Sequence, residues 1–414
     1  MAHRRARLVW LVAAMLVLAV SGVSAAKTQI YAWSWEDAIG SWMQGAAQRF
    51  NASQDEIEVI VELHPFDGYY DKVKLAVASG IGPEVIRAAV DGMHDPLPAD
   101  MFVPSLRGYM QEQAEILPFY AEYIGDEIYG LPWVVWPSLL WYNRDHFAEA
   151  GIGAPPATWE ELLDVARRLT RTDGEQRLVR SGFALEGKDF AQVFLPQMDP
   201  DFYRVGEHRV SLVGGGAEDA YSFMLDVIRS GVTAWPQQVW AGAQLTSGSA
   251  SMMLQGSWYL GHLRNFPDFN WGVAPQPRIS ESAPYGLLAI ASDLRLGLGL
   301  SSEAAAAASK FIRFLMEEEN IALVTADSGL LPARLDYYSS PIITGDPAVA
   351  KILEAAAQVL PNSVAWPQGT VFDVVLEGID SVIYAALDGG VHPAQAIHEM
   401  EQAINSRLAT YYGN

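Results

Sequence analysis

Residues 28–63, TQIYAWSWEDAIGSWMQGAAQRFNASQDEIEVIVEL, decide the fold. TQIYAWSW (28–35) is a β-rich run, Ala38 to Phe50 is a helical stretch, and EIEVIVEL (56–63) alternates as a second strand. A second helical pattern covers Tyr69 to Ser79. Strand, helix, strand, helix predicts an α/β lobe with a mostly parallel sheet, in which ligands meet the carboxyl ends of strands. Trp33, Ser34, Trp35 and Glu36 stand at the first such end.

Upstream, residues 1–26 carry Arg4, Arg5 and Arg7, an apolar run from Leu8 to Val20, and small residues to Ala26. That order reads as a cleavable secretory signal cut after Ala25 or Ala26, since thirteen apolar residues fall short of the roughly 20 that span a bilayer. The chain contains no cysteine, so neither disulfides nor a lipid anchor on a mature thiol is expected. Without the signal, 24 basic face 49 acidic side chains, a net charge of −25. Such a surface repels nucleic acid and anionic lipid. About 390 mature residues, in a chain 50% hydrophobic, are too many for one compact core and predict two lobes.

Downstream, Thr158 and Glu161 form a capping box before a helix with Trp159, Leu162, Leu163, Ala166 and Leu169 at helical spacing. Asp346 and Pro347 start a helix through Leu360, the alanine run 304–308 reads as helix, and Pro393 to Leu408 predicts a final one. Glycine and proline clusters are scattered, so the chain is expected to cross between the lobes more than once.

Catalytic and metal signatures are weak. There is no H-E-x-x-H, G-x-S-x-G or P-loop, the eight histidines lack ligand spacing, and Gly214–Gly216 reads as a surface turn. No metal or cofactor is expected. Carboxylates are abundant enough for a glycosidase-like pair, but abundance alone carries little information. Tryptophans give the stronger hint: Trp33, Trp35, Trp133, Trp136, Trp235, Trp240, Trp258 and Trp366 sit among glycine, proline and polar residues, whereas Trp141 and Trp159 lie in apolar runs and are assigned to the core. A pyranose has apolar C–H faces that stack on indole and a hydroxyl rim that needs carboxylate or amide partners. The nearby acids are Glu36, Asp37, Asp67 and Asp91, the last following the strand-like run EVIRAAV. Each acid could equally cap a helix, any single tryptophan is as readily core as ligand contact, and Arg87 in the same run pairs an internal acid or touches ligand.

The stretch YGLPWVVWPSLLWYNRDHFAEAGIGAPPATWEELLDVARRLT (129–170) resembles the extracellular solute-binding proteins of family 1, the maltose-binding-protein-like sugar-capturing subunits of bacterial ABC importers. AVASGIGPEVI (76–86), GSASMMLQGSWYL (248–260), FNWGVAPQPR (269–278) and KFIRFLMEEENIALVTADSGLLPAR (310–334) are similar to the same family, in the same order. The resemblance implies a two-lobed periplasmic-binding-protein fold of type II-like form, with lobe one at 27–134 plus 285–335 and lobe two at 135–284 plus 336–414, joined by a multi-strand hinge. It places Trp33, Trp35, Glu36, Asp67, Asp91, Trp133, Trp136, Gly256, Trp258, Tyr285, Gly286 and Trp366 on pocket-facing segments, with Trp258 stacking on sugar. The segment 91–110, DGMHDPLPADMFVPSLRGYM, departs from the family's shorter acidic and aromatic turn.

The expectation is a periplasmic, monomeric, non-enzymatic subunit that binds a carbohydrate and delivers it to ABC permease transmembrane subunits. The rivals are an exported carbohydrate-active hydrolase, a sensor on the same fold, and a binding protein for a glycerophosphodiester or polyamine.

Overall fold

The computed structural model describes residues 27–66, 68–88, 130–204, 207–236, 238–365 and 370–412. The expectations for the signal segment, for Asp67, Asp91 and Trp366, and for segment 91–110 lie outside these residues.

The opening alternation is realised as β1 (Thr28–Trp35), α1 (Ala38–Ser53), β2 (Ile57–His64), α2 (Tyr69–Ala78) and β3 (Val85–Ala88). β1 lies between β2 and β3 and runs parallel to both. Because side chains alternate across a strand, β1 feeds two layers. Ile30 and Ala32 join the core that holds Met43, Ala46 and Phe50 of α1, whereas Trp33 and Trp35 pack with Tyr69, Tyr70 and Val73 of α2. The Asp37 carboxylate starts α1 by accepting from the Gly40 amide at 2.6 Å.

Then come the long β4 (Gly130–Asn143), α3 (Trp159–Leu169), and two short hairpins, β5 (Arg171–Thr172) with β6 (Leu178–Arg180) and β7 (Tyr203–Arg204) with β8 (Arg209–Val210). The capping box forms with one difference: Thr158 Oγ1 accepts from the Glu161 amide at 3.2 Å, and Glu161 reaches one residue past the cap to accept from the Ala157 amide at 2.8 Å. Trp159 is buried and stacks on Phe223 of α4 (Ala217–Arg229) with centroids 4.6 Å apart. α5 (Ala241–Thr246), β9 (Met252–Gly256), α6 (Tyr259–Leu263), β10 (Trp271–Pro275) and the long β11 (Tyr285–Leu296) follow. The remainder includes α7 (Ser302–Leu315), β12 (Leu331–Pro332), α8 (Pro347–Val359), β13 (Ser363–Ala365), α9 (Thr370–Gly389) and α10 (Pro393–Tyr412), with a further helix over Glu318–Ser328. Asp346 caps α8 as its sequence predicts.

Nine of these strands form one sheet of order β10-β4-β11-β3-β1-β2, with β9 and β12 on β4 and β13 on β11, and the β5–β6 and β7–β8 hairpins stand apart from it. β1, β2 and β3 form the parallel part, and β13 is parallel to β11. β4 pairs antiparallel throughout, and it changes partners along its length. Gly130 to Pro137 pair with β11, while Ser138 to Asn143 pair with β9 and β10. Among the described residues no helix is long and apolar enough to cross a membrane.

Candidate functional site

At the carboxyl ends of β1 and β3, Arg87 is 2% exposed and grips Asp37 through two bonds of 2.8 and 3.0 Å, with a third to Ser34 Oγ at 3.1 Å. Its guanidinium also lies 3.6 Å from the Trp35 ring centroid. Trp35 is further enclosed by Phe66, Tyr69 and Tyr70. The Tyr69 hydroxyl donates between Trp33 O (3.0 Å) and Arg87 O (2.8 Å), tying the two strands. Arg87 therefore pairs an internal acid, and Asp37 both caps α1 and neutralises Arg87.

Trp33 is buried edge-on to His64 at 4.6 Å, with Lys72 Nζ 4.7 Å from its centroid. Lys72 Nζ also lies 2.9 Å from His64 Nδ1, a geometry in which ammonium donates to a neutral imidazole. Burial, then the charge of Lys72, holds His64 below its ordinary value against the opposing pull of Glu62 and Glu36. Glu36 is exposed beside this cluster, its amide bonded to His64 O at 2.9 Å.

Around β9, Trp136 and Gln255 are buried at 5% and 3% exposure, while Trp258 and Trp240 open further to solvent. A Cβ on Gly256 would lie 2.4 Å from Trp258 Cδ1 and 2.7 Å from Trp136 Cε3, so the missing side chain is what lets these two indoles converge. Trp258 is half-buried and parallel to Trp240, at 6.2 Å and 10°. Gln255 Nε2 reaches Glu186 Oε2 at 3.4 Å, and Lys188 Nζ binds the same oxygen at 2.9 Å. Asp189, 1% exposed, stands 3.6 Å from Lys188 Nζ and accepts from the Glu186 amide at 2.9 Å. Burial, against the pull of Lys188, raises Asp189 to about 7. These contacts bring together carboxylate, amide and indole, the groups that a hydroxyl-rimmed ring requires.

The expected residues thus fall into separate groups. Trp136, Gly256 and Trp258 converge beside Glu186 and Gln255. Trp33 and Trp35 are 8% and 7% exposed in the β1–α2 layer. Trp133 is fully buried, 5.1 Å from Trp42 of α1, which puts it in the core because it points to the α1 face of the sheet. Tyr285 is buried under Arg278, whose guanidinium is 4.6 Å from its ring. Gly286 serves packing: a Cβ there would meet Gln192 O at 2.5 Å. Sequence reasoning missed Glu186 and Lys188, although GFALEGKD (182–189) has the same form as EVIRAAVD, an apolar run ending on an acid. Among the described residues there is no cluster of His, Asp and Glu suited to a metal ion.

A family model described as "Bacterial extracellular solute-binding protein" matches residues 45–351. A Brucella abortus (strain 2308) protein, named only as a binding protein, is 23% identical over 398 residues, covering 90% of this chain and 92% of that one. The sn-glycerol-3-phosphate-binding periplasmic protein UgpB of Shigella flexneri is 23% identical over 344 residues, 77% of each chain. Among solved structures, the sugar-binding protein MalE from Xanthomonas citri superposes with a TM-score of 0.79 at 22% identity, covering 93% of this chain and 98% of that one. That likeness shows the fold, a two-lobed mixed α/β architecture.

Proposed function

We propose a transport role for this chain, which belongs to the bacterial extracellular solute-binding protein family: it captures a sugar or oligosaccharide between its lobes and presents the closed form to an ABC permease. The observation that carries the ligand class is the convergence of Trp136 and Trp258 across Gly256, beside the Glu186–Gln255 pair. Indole offers a face to pyranose C–H groups, and carboxylate and amide order the hydroxyls. Arg87 and Lys188 are already paired with Asp37 and with Glu186, which favours a neutral polyol over a phosphorylated one. Glu36, exposed at the end of β1, is the contact proposed from the opposite side; Asp67, Asp91 and Trp366 remain in the proposed set through the family resemblance.

The proposed lobes are residues 27–134 with 285–335 and 135–284 with 336–414, and β4 and β11 are the crossing strands. The change of partner on β4 between Pro137 and Ser138 supports a boundary close to that division. Ligand touching both lobes stabilises the closed state by its differential affinity, and a permease that discriminates closed from open completes delivery. Binding without turnover, export by the amino-terminal signal into a periplasm, release without a lipid anchor and action as a monomer complete the reading.

The test is a thermal-shift and tryptophan-fluorescence titration against neutral sugars, glycerol 3-phosphate, glycerophosphodiesters and polyamines. A sugar at 100 times its Kd should add about 2.7 kcal/mol of stability. A response confined to phosphorylated or cationic solutes overturns the sugar assignment, and release of reducing ends overturns the non-enzymatic one.

A further inference from the structure

β10 is an outer strand of the sheet, and β4 bonds to it and to β9 through alternate residues. The Asn143 amide donates to Ser251 O on the β9 side, and the Arg144 amide donates to Asn270 O on the β10 side, both at 2.9 Å. With Trp271 opposite Asn143 and Gly272 opposite Tyr142, Gly272 and Ala274 turn their backbone groups to β4. Trp271, Val273 and Pro275 therefore turn theirs outwards. The Trp271 amide bends back to Phe269 O, and Pro275 has no N–H, so Val273 presents both a donor and an acceptor between two outward carbonyls. A cavity of about 290 Å³ runs along this edge. Residues of both sheet faces line it, Trp271 from one and Tyr142 from the other, which places it at the edge and not on either face. Tyr142 crosses over Gly272, where any Cβ would collide with its ring. α8 forms the opposite wall with Lys351, Glu354 and Gln358.

The charges along this cavity favour an anion. Lys351 is exposed, its Nζ 4.9 Å from the Trp271 ring centroid, and among the described residues neither it nor the exposed Arg144 forms an ion pair. Glu354 pairs with neither, and nearby Asp145 is held by Asn270 Nδ2 at 2.6 Å. Two cations against one acid make a positive spot on a chain with 27 basic and 49 acidic side chains. The spot is remote from the proposed sugar site: Tyr142 lies six residues along β4 from Trp136, about 20 Å in an extended strand, and β9 with Gly256 flanks the other side of β4. We infer that the β10 edge is a docking site for an extended acidic segment of a partner protein, which adds a short strand at Val273 and sets its carboxylates against Arg144 and Lys351. Main-chain bonds to Val273 fix the register, the two cations select the sign of charge, and Trp271 offers an apolar face to the side chain between the acids. Pro275 and the occupied Trp271 amide limit the added strand to about three residues, about 10 Å of chain. This inference does not depend on the sugar reading.

The test is titration of the full chain with the peptide acetyl-Glu-Val-Glu-amide, read by tryptophan fluorescence and by hydrogen exchange of segment 269–278. Acetyl-Lys-Val-Lys-amide and succinate serve as comparisons, and an Arg144→Gln, Lys351→Gln double variant, checked for folding by circular dichroism, removes the cations. The expected result is saturable binding of the acidic peptide with slowed exchange in 269–278, and affinity at least about tenfold weaker for the lysine peptide, for succinate and for the double variant. No saturation by the acidic peptide up to about 10 mM overturns the docking site. Equal binding of the lysine peptide, or affinity that the double variant leaves intact, overturns the role of Arg144 and Lys351. Succinate as tight as the peptide, or peptide binding that leaves exchange in 269–278 unchanged, overturns strand addition at Val273.

Discussion

The cluster around Arg87 and the cluster around Lys188 share a plan, a cation held by carboxylate, yet Arg87 is sealed under Trp35 and Lys188 is partly open. Arg87 satisfies Asp37 and Ser34, covers Trp35, and is enclosed by the α2 aromatics, so it offers no face to a ligand. Lys188 is about a third exposed, and the rings flanking its turn present open faces. A buried guanidinium held by a carboxylate fixes geometry at a desolvation cost, whereas a partly exposed cation can exchange water for hydroxyls at little reorganisation. The first cluster is scaffold for the ends of β1 and β3. The second is the surface on which recognition is proposed.

That contrast can be broken most severely at Arg87. Arg87→Met leaves Asp37 without its cation and Trp35 without its cover, and should cost about 3 kcal/mol in urea unfolding. A loss below about 1 kcal/mol would mean the sealed cluster does not hold this end of the sheet. Next in size, Trp258→Ala should weaken sugar binding by about 2 kcal/mol, read by titration, with a much smaller fall in stability than Arg87→Met because its ring is only half-buried. Gly256→Ala sharpens the same point: its Cβ pushes Trp258 and Trp136 apart, costing about 1 kcal/mol in stability and altering tryptophan fluorescence.

The last test turns on sign and not on size. With Asp189 raised by burial from 3.8 to about 7, the native state keeps a proton that the unfolded chain has released between those values. Its contribution to stability is therefore greatest below about pH 4 and is lost as pH rises towards 7. Asp189→Asn should flatten that part of the Tm-against-pH curve, and an unchanged slope would show that Asp189 is not the group responsible.

The elements were legible where a local rule decides them. Alternation in EIEVIVEL, helical spacing after Ala38 and Tyr69, the Thr158–Glu161 box and the Asp346–Pro347 start all depend on neighbours within a few residues, and each is found in place. Trp141 and Trp159 were readable as core because apolar periodicity surrounds them, and both are buried. The burial of Trp133 was not readable: it shares the run YGLPWVVW with Trp136, and only the partner helix α1 shows which face is dry. Nor was the pairing of Asp37 with Arg87, which joins residues fifty positions apart in sequence. Glu186 escaped notice because its partner Gln255 arrives from another strand and no tryptophan stands near it in the sequence.

The route of β11 governs the order in which the molecule can assemble. β3 ends at Ala88, but the strand that covers its open side carries Leu294 and Asp293, on the far side of everything between. Until that late strand docks, β1, β2 and β3 form a three-stranded sheet with a bare backbone edge, the kind of edge that recruits wrong partners. Long-range pairing of this type slows folding, because the loop must close before the contact repays it. A chain made from one end to the other therefore spends much of its synthesis with its first sheet unfinished, and a carrier that keeps it unfolded until Leu294 has emerged would spare it that exposure.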